Sequence, residues 1–276
     1  VIDDAEARGK LGGIACAVLG NDRAILSRYD DSVVRIISAG SAGAAVQVIR
    51  RARGFAPVPL KLEQAGANSE AAVNPEAAAA PEDAAAPEAT GAAGHEGSPE
   101  TAGHEAAAVA PVLFAAGSEQ KSTFAFVRGS EAFVSQHVGD LENAEAFDAW
   151  LDAKSRFEKL FELRATRLAC DAHPEYLASK WAREQARKLD IPLVEVQHHH
   201  AHIASVIGEN GLSGAVCGIA FDGTGFGADG SIWGGEVLLA NAQAYERFAN
   251  FAYVPMPGGA ACVKNPLRMA YGVLWE

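Results

Sequence analysis

The stretch 193–236, LVEVQHHHAHIASVIGENGLSGAVCGIAFDGTGFGADGSIWGGE, holds most of the residues able to do chemistry. His198, His199, His200 and His202 follow a strand pattern and open a predicted helix. At i and i+4, His198 and His202 present both imidazoles on one helix face, the spacing of two-histidine metal sites. His199 and His202, at i and i+3, form a competing pair. Two ligands do not complete a site, so a third, a carboxylate, must come from elsewhere. The bland alternative is a histidine-rich loop with one histidine doing acid–base work or touching phosphate.

Downstream, FDGTGFGADG puts Asp222 at a strand end, followed by Gly223, Thr224, Gly225 and Gly227. Glycines let backbone approach a ligand and turn through positive φ, so N–H groups there can converge on phosphate. Gly234 and Gly235 in WGGE join that nucleotide-phosphate set. Asp222 suits Mg²⁺ or a hydroxyl better than phosphate, because like charges repel. The spacing is neither G-x-G-x-x-G nor a Walker loop, and an ordinary glycine hairpin is the competing reading. Lys121 sits between two predicted strands, where a hairpin can carry it to a phosphate or leave it on the surface. His173, after Asp171, reads as a loop histidine that caps a helix.

The elements that must position these residues are legible in outline. Residues 111–276 begin with three strand patterns, PVLFAAG, STFAFVRG and EAFVSQHVG, a predicted meander. Phe147, Trp150, Leu151, Phe157, Leu160 and Phe161 recur at helical spacing, predicting an amphipathic helix over 142–163 capped by Asp140. LACD, a helix from Tyr176, LVEV, a second helix, GAVCGIAFD and IWGGEVLLA then alternate, which predicts an α/β domain with a mixed sheet. Residues 1–62 read as the closing strands of another α/β unit, with Arg50, Arg51 and Arg53 as either a solvated edge or an anion site. Residues 63–110 read as a disordered Ala/Pro/Glu linker. From 64 to 110, nineteen positions are Ala, four are Pro and none is aromatic.

Residues 64–110 carry eight acids and no Lys or Arg, out of a net charge of −12, so the rest of the 276-residue chain is near neutral. This argues against a nucleic-acid groove but leaves room for a small nucleotide. No run of apolar residues is long enough for a membrane span and no leader pattern opens the chain. Val1 at the start and Glu276 within an apolar run read as cut ends. Cys16, Cys170, Cys217 and Cys262 are dispersed, with no C-x-x-C, which fits a reducing cytoplasm. Cys170 and Cys217 are expected as buried thiols.

AAGSEQKSTF, SQHVGDLEN, DAHPEY, VQHHHAHIAS, FDGTGFGADGSIWGGE and PMPGG…NPLRMA resemble, in that order, the Kae-type domain of the HypF family, an actin-like ATPase or sugar-kinase-type lobe. RYDDSVVR…IRRARGFAPVPL resembles the tail of that family's YrdC-like domain. The resemblance implies an ATP-dependent (Mg²⁺) carbamoyltransferase of nickel–iron hydrogenase maturation. Carbamoyl phosphate would be converted through carbamoyl-adenylate to a thiocarboxamide on the C-terminal cysteine of HypE. It also implies a divalent metal, zinc or iron, on His198 and His202, with Lys121 and the Asp222–Gly227 turn near the nucleotide phosphates and His198, His202 and Asp222 as catalytic residues. The third metal ligand is expected in a second lobe outside this chain. The rival readings are a tRNA threonylcarbamoyl transferase relative, a kinase relative, and a non-catalytic module that docks to HypE or to a missing half.

Overall fold

A computed structural model describes residues 4–17, 29–38, 44–62, 110–259 and 261–275. The linker expected over 63–110 lies outside them, apart from Ala110. The described residues divide into two compact units, one from those up to Lys61 together with 110–195, the other from 196 onward.

The first unit opens with helix α1 (Asp4–Leu11) and an antiparallel hairpin of β1 (Val33–Ser38) and β2 (Ala44–Arg50). The arginines after it are occupied locally. Arg50 pairs with Asp30, Arg53 lies 3.6 Å from Asp31, and Arg51 donates to the carbonyls of Phe55 and Val58. Next come β3 (Leu60–Lys61), β4 (Val112–Ala115), β5 (Ala125–Arg128), β6 (Glu131–Val134), α2 (Ala144–Leu160), β7 (Arg167–Asp171), α3 (Leu177–Leu189) and β8 (Leu193–Val196). The sheet order is β3-β6-β5-β4-β7-β8. The meander β4–β5–β6 is antiparallel, and β7 runs parallel to β4 with Phe114 opposite Leu168. The architecture is therefore α/β with a mixed sheet, as the alternation of patterns predicts.

Apolar side chains on one sheet face and on the buried stripe of α2 supply the core. Phe114, Phe124, Phe126, Trp150, Phe157 and Leu168 are at most 5% exposed. Their rings meet edge-on, Phe124 against Trp150 at 5.8 Å and against Phe157 at 5.2 Å, the arrangement that aromatic quadrupoles favour. The cap of α2 differs from the expectation. Asn143, not Asp140, accepts from the Ala146 N–H at 2.8 Å. Asp140 sits one turn too early and instead accepts from the Lys121 N–H at 2.7 Å.

The second unit has α4 (His198–Glu209), β9 (Val216–Ala220), β10 (Gly225–Phe226), β11 (Ile232–Trp233), β12 (Glu236–Ala240), β13 (Tyr245–Asn250), α5 (Ala261–Lys264) and α6 (Pro266–Trp275). An antiparallel sheet β13-β12-β9 is packed by α4, with Ile203, Ile207, Trp233, Leu238 and Ala240 between them. The predicted strand IWGGEVLLA is two strands. Gly235, at φ +80°, bends the chain between β11 and β12, and only glycine takes that conformation cheaply. Cys170 is buried as expected, whereas Cys217 is exposed because its side of β9 carries no covering element among the described residues. No described helix is long and apolar enough to cross a membrane.

Candidate metal centre

Helix α4 starts at Gln197, whose extended backbone and side-chain oxygen, accepting from the His200 N–H at 2.8 Å, form its N-cap. The cap fixes where the histidines fall. His198 and His202 lie one turn apart with Nε2 atoms separated by 3.3 Å. Asp222, just past the end of β9, brings its Oδ2 to 2.7 Å from His198 Nε2 and 3.4 Å from His202 Nε2. His198 is mostly buried, Asp222 about a third exposed and His202 half exposed, so the cluster is reachable from one side. Burial raises the Asp222 carboxyl pKa. The His198 hydrogen bond and the charges of His198 and His202 outweigh it and hold the group below the ordinary carboxylate value.

One donor atom from each of these three residues lies within 4.8 Å of the others. Zinc with nitrogen and oxygen ligands at about 2.1 Å in tetrahedral geometry needs donors roughly 3.4 Å apart. Two of the three separations already match, and the third requires the His198–Asp222 hydrogen bond to open slightly around an ion. Two imidazoles and a carboxylate with an open side suit zinc or ferrous iron. The donor set fits the metal that the sequence suggested. The third ligand was expected outside the chain; within it, Asp222 is a candidate, its carboxylate lying beside both imidazoles.

The other two histidines are committed elsewhere. His199 is fully buried, with Nε2 2.9 Å from the Asp222 carbonyl and Nδ1 3.2 Å from Gln197 Nε2. His200 Nε2 lies 2.8 Å from the Asn241 carbonyl. With both ring nitrogens engaged, His199 is not available for the competing i, i+3 pair.

The glycine run differs from the phosphate-cradle picture in its reason for being glycine. Gly223, Gly225 and Gly227 do not adopt positive φ; Gly230 and Gly235 do. A Cβ on Gly225 would stand 2.3 Å from His199 Cε1, and one on Gly227 would stand 2.1 Å from Trp233 Nε1. At the β11–β12 bend, a Cβ on Gly234 would stand 2.8 Å from the Gly223 carbonyl oxygen. Gly225, Gly227 and Gly234 are small because rings and backbone occupy the space a side chain would need, whereas a Cβ on Gly223 would meet nothing within 4 Å. Thr224 is exposed in the same turn. Lys121 belongs to the first unit, where it is exposed, with φ +50° and its N–H held by Asp140. His173 accepts from the Glu175 N–H through Nδ1, in the turn before α3.

Sequence reasoning passed over Gln197 and the pair Glu236–Arg247. Glu236 is 1% exposed and accepts two guanidinium hydrogen bonds from Arg247, at 2.7 and 3.0 Å. It also accepts from the Gly234 N–H at 3.1 Å, and Arg247 lies 4.0 Å over the Trp233 ring. A glutamate directly after the WGG bend was the available signal.

Two family models match the chain. One, the HypF Kae1-like domain, covers residues 108–209, and the other, the carbamoyltransferase Kae1-like domain, second subdomain, covers 218–276. Carbamoyltransferase HypF2 of Cupriavidus necator is 38% identical over 274 residues, covering 99% of this chain and 28% of the relative. The chain belongs to the HypF family. A second HypF, from Rhizobium leguminosarum bv. viciae, is 33% identical over 99% of this chain and 29% of its own length. A crystal structure of full-length HypF in the phosphate- and nucleotide-bound form resembles the chain with TM-score 0.74 and 35% identity, over all of this chain and 36% of that one. The structure of T.kodakarensis HypF gives TM-score 0.71 and 32% identity, over 99% of this chain and 30% of that one. This HypF-family chain thus spans less than a third of the length of these curated relatives.

Proposed function

We propose that the chain is part of an ATP-dependent carbamoyltransferase acting in nickel–iron hydrogenase maturation, and that His198, His202 and Asp222 form the metal centre of its transfer step. The single observation that carries this reading is the convergence of two imidazoles and a carboxylate, with an open side, in a chain whose relatives are named carbamoyltransferases. In this reading carbamoyl phosphate is hydrolysed to carbamate and phosphate. Carbamate and ATP then give carbamoyl-adenylate and pyrophosphate. The HypE C-terminal thiol attacks the carbamoyl carbon, the bond to AMP breaks, and a proton is released. A cation held by His198, His202 and Asp222 would supply Lewis-acid polarisation of the carbamoyl oxygen.

The chain's own residues hold the reacting groups. Asp222 and His198 keep donor atoms aimed at one point, and half-exposed His202 leaves the approach open. The turn from Gly223 to Gly227, with Gly234 and Gly235, is assigned to the nucleotide phosphates, together with Lys121. Residues 1–62 are assigned to the end of a YrdC-like domain that makes the adenylate, 63–110 to a linker, and 111–276 to the first part of the Kae-type domain. The reaction is placed in the cytoplasm, consistent with four free cysteines.

The test uses the full-length protein with labelled carbamoyl phosphate and HypE. Wild type transfers label to the HypE thiol and releases AMP. His202→Ala and Asp222→Asn lose label transfer by about a hundredfold or more yet keep carbamoyl-phosphate-dependent pyrophosphate release, since adenylate formation is assigned to the other domain. Unchanged label transfer in both variants sinks the assignment of the cluster. Label arriving on tRNA instead of HypE favours the threonylcarbamoyl-type rival.

A further inference from the structure

Gln197 and His199 hold a set of contacts that the proposed transfer chemistry does not use. A carbonyl oxygen only accepts, so the 2.9 Å contact between His199 Nε2 and the Asp222 carbonyl requires a proton on Nε2. Gln197 Nε2 donates to the Phe226 carbonyl at 3.1 Å, which orients the amide and leaves its second N–H for His199 Nδ1 at 3.2 Å. Nδ1 is therefore the acceptor, and the ring is the neutral Nε2–H tautomer. The same amide's oxygen caps α4 through the His200 N–H. One side chain thus joins the start of the helix that carries His198 and His202, the β10–β11 hairpin, and the ring that grips the backbone of Asp222.

The pair is also closed sterically. Gln197 is 7% and His199 0% exposed. Gly225 backs the ring so closely that a Cβ there would lie 2.3 Å from Cε1 and 2.7 Å from Nδ1. The ring cannot swing without giving up a hydrogen bond at each nitrogen.

We propose that Gln197 and His199 are positioning residues for the cation cluster, setting the distance between the helix-borne imidazoles and the strand-borne Asp222 carboxylate. The proposal rests on the reading of His198, His202 and Asp222 as a metal centre. It adds that the carboxylate is placed through its own main chain, by a ring that never touches the ion. Partners that orient ligands in this way are worth about 10- to 100-fold in metal affinity.

The experiment uses the full chain with Co²⁺ as the probe, reading affinity by titration and ligand geometry by the visible d–d bands, with the fold checked by far-UV circular dichroism. His199→Phe keeps an aromatic ring against Gly225, though a larger one, and removes both hydrogen bonds. It is expected to weaken Co²⁺ about 10- to 100-fold and to change the d–d bands at saturating metal. His199→Gln, whose amide N–H can still reach the Asp222 carbonyl, is expected to recover most of the affinity and the wild-type bands. A residue that only fills space would show neither the altered bands nor that rescue. If His199→Phe does not fold, Gln197→Glu serves. Its carboxylate still caps the His200 N–H but donates to neither His199 nor Phe226, and Co²⁺ affinity is expected to fall by a similar factor.

Wild-type affinity and bands in a folded His199→Phe or Gln197→Glu chain overturn the positioning role while leaving the metal centre standing. If wild type binds Co²⁺ no better than His202→Ala, the metal centre fails, and the positioning role with it.

Discussion

Removing one partner of the Glu236–Arg247 pair should cost far more than removing both. Glu236 is 1% exposed and the Arg247 side chain 22% exposed, so Glu236→Gln leaves a partly buried guanidinium without its buried carboxylate. Its nearest remaining carboxylate, Asp229, is 3.7 Å away. Breaking buried pairs typically costs about 3–5 kcal/mol. The glutamine oxygen can still accept one hydrogen bond, which brings the expected loss to about 2–3 kcal/mol. The double variant Glu236→Met/Arg247→Met removes the charge as well as its partner. It forfeits the Arg247–Trp233 ring contact at 4.0 Å, worth about 1 kcal/mol. Hydrogen exchange at the amides of β12 and β13 reads the second unit by itself. A loss of about 2 kcal/mol is about a thirtyfold faster exchange at the most protected amides, where each tenfold is about 1.4 kcal/mol. The double variant should exchange more slowly than Glu236→Gln. If each single substitution costs the same small amount and the two simply add, the pair is not coupled and the buried-charge reasoning is wrong.

Two further outcomes are expected in the first unit. Burial, with Arg50 adding to it, holds His137 below its ordinary 6.5, and its Nε2 has no hydrogen-bond partner among the described residues. The folded state resists a proton that the unfolded chain accepts. The contribution of His137 is therefore full above pH 6.5 and is lost as pH falls from there through the folded value. Urea midpoints across that window should fall with pH in wild type and less steeply in His137→Phe; parallel slopes would count against the burial account. Asn143→Ala removes the acceptor for the Ala146 N–H and should cost about 1 kcal/mol, while Asn143→Asp should cost little. Equal amide exchange in the first turn of α2 across the three proteins would argue that Asn143 is no cap.

Local pattern carried the reading of α2, α3 and the β4–β6 meander, because each is specified within a few residues by its apolar period and turn chemistry. It chose the wrong cap for α2, since Asp140 and Asn143 are both good caps and only the chain's path decides between them. The His198–His202 pair was legible because a helix converts spacing into geometry. Spacing alone did not place Asp222 beside them, and only the family resemblance grouped the three, because the route from α4 through β9 back to the cluster is set by packing of Ile203 and Ile207 on the sheet. The glycines were visible, but their purpose was not. A sequence shows that a side chain is missing, while only the fold shows the His199 and Trp233 rings that fill its place.

The His199–Gly225 contact makes two positions twenty-six residues apart answerable to one volume. Neither can enlarge alone, since a methyl at 225 needs a smaller group at 199, and the ring at 199 needs a bare backbone at 225. Over evolutionary time such positions should drift as a pair. Lineages that exchange His199 for a small residue are those free to acquire alanine or serine at 225, and large groups at both positions in one relative would contradict the contact. The glycine is then an inheritance tied to the histidine, and tracing when both were lost would date when that branch stopped needing the grip on Asp222.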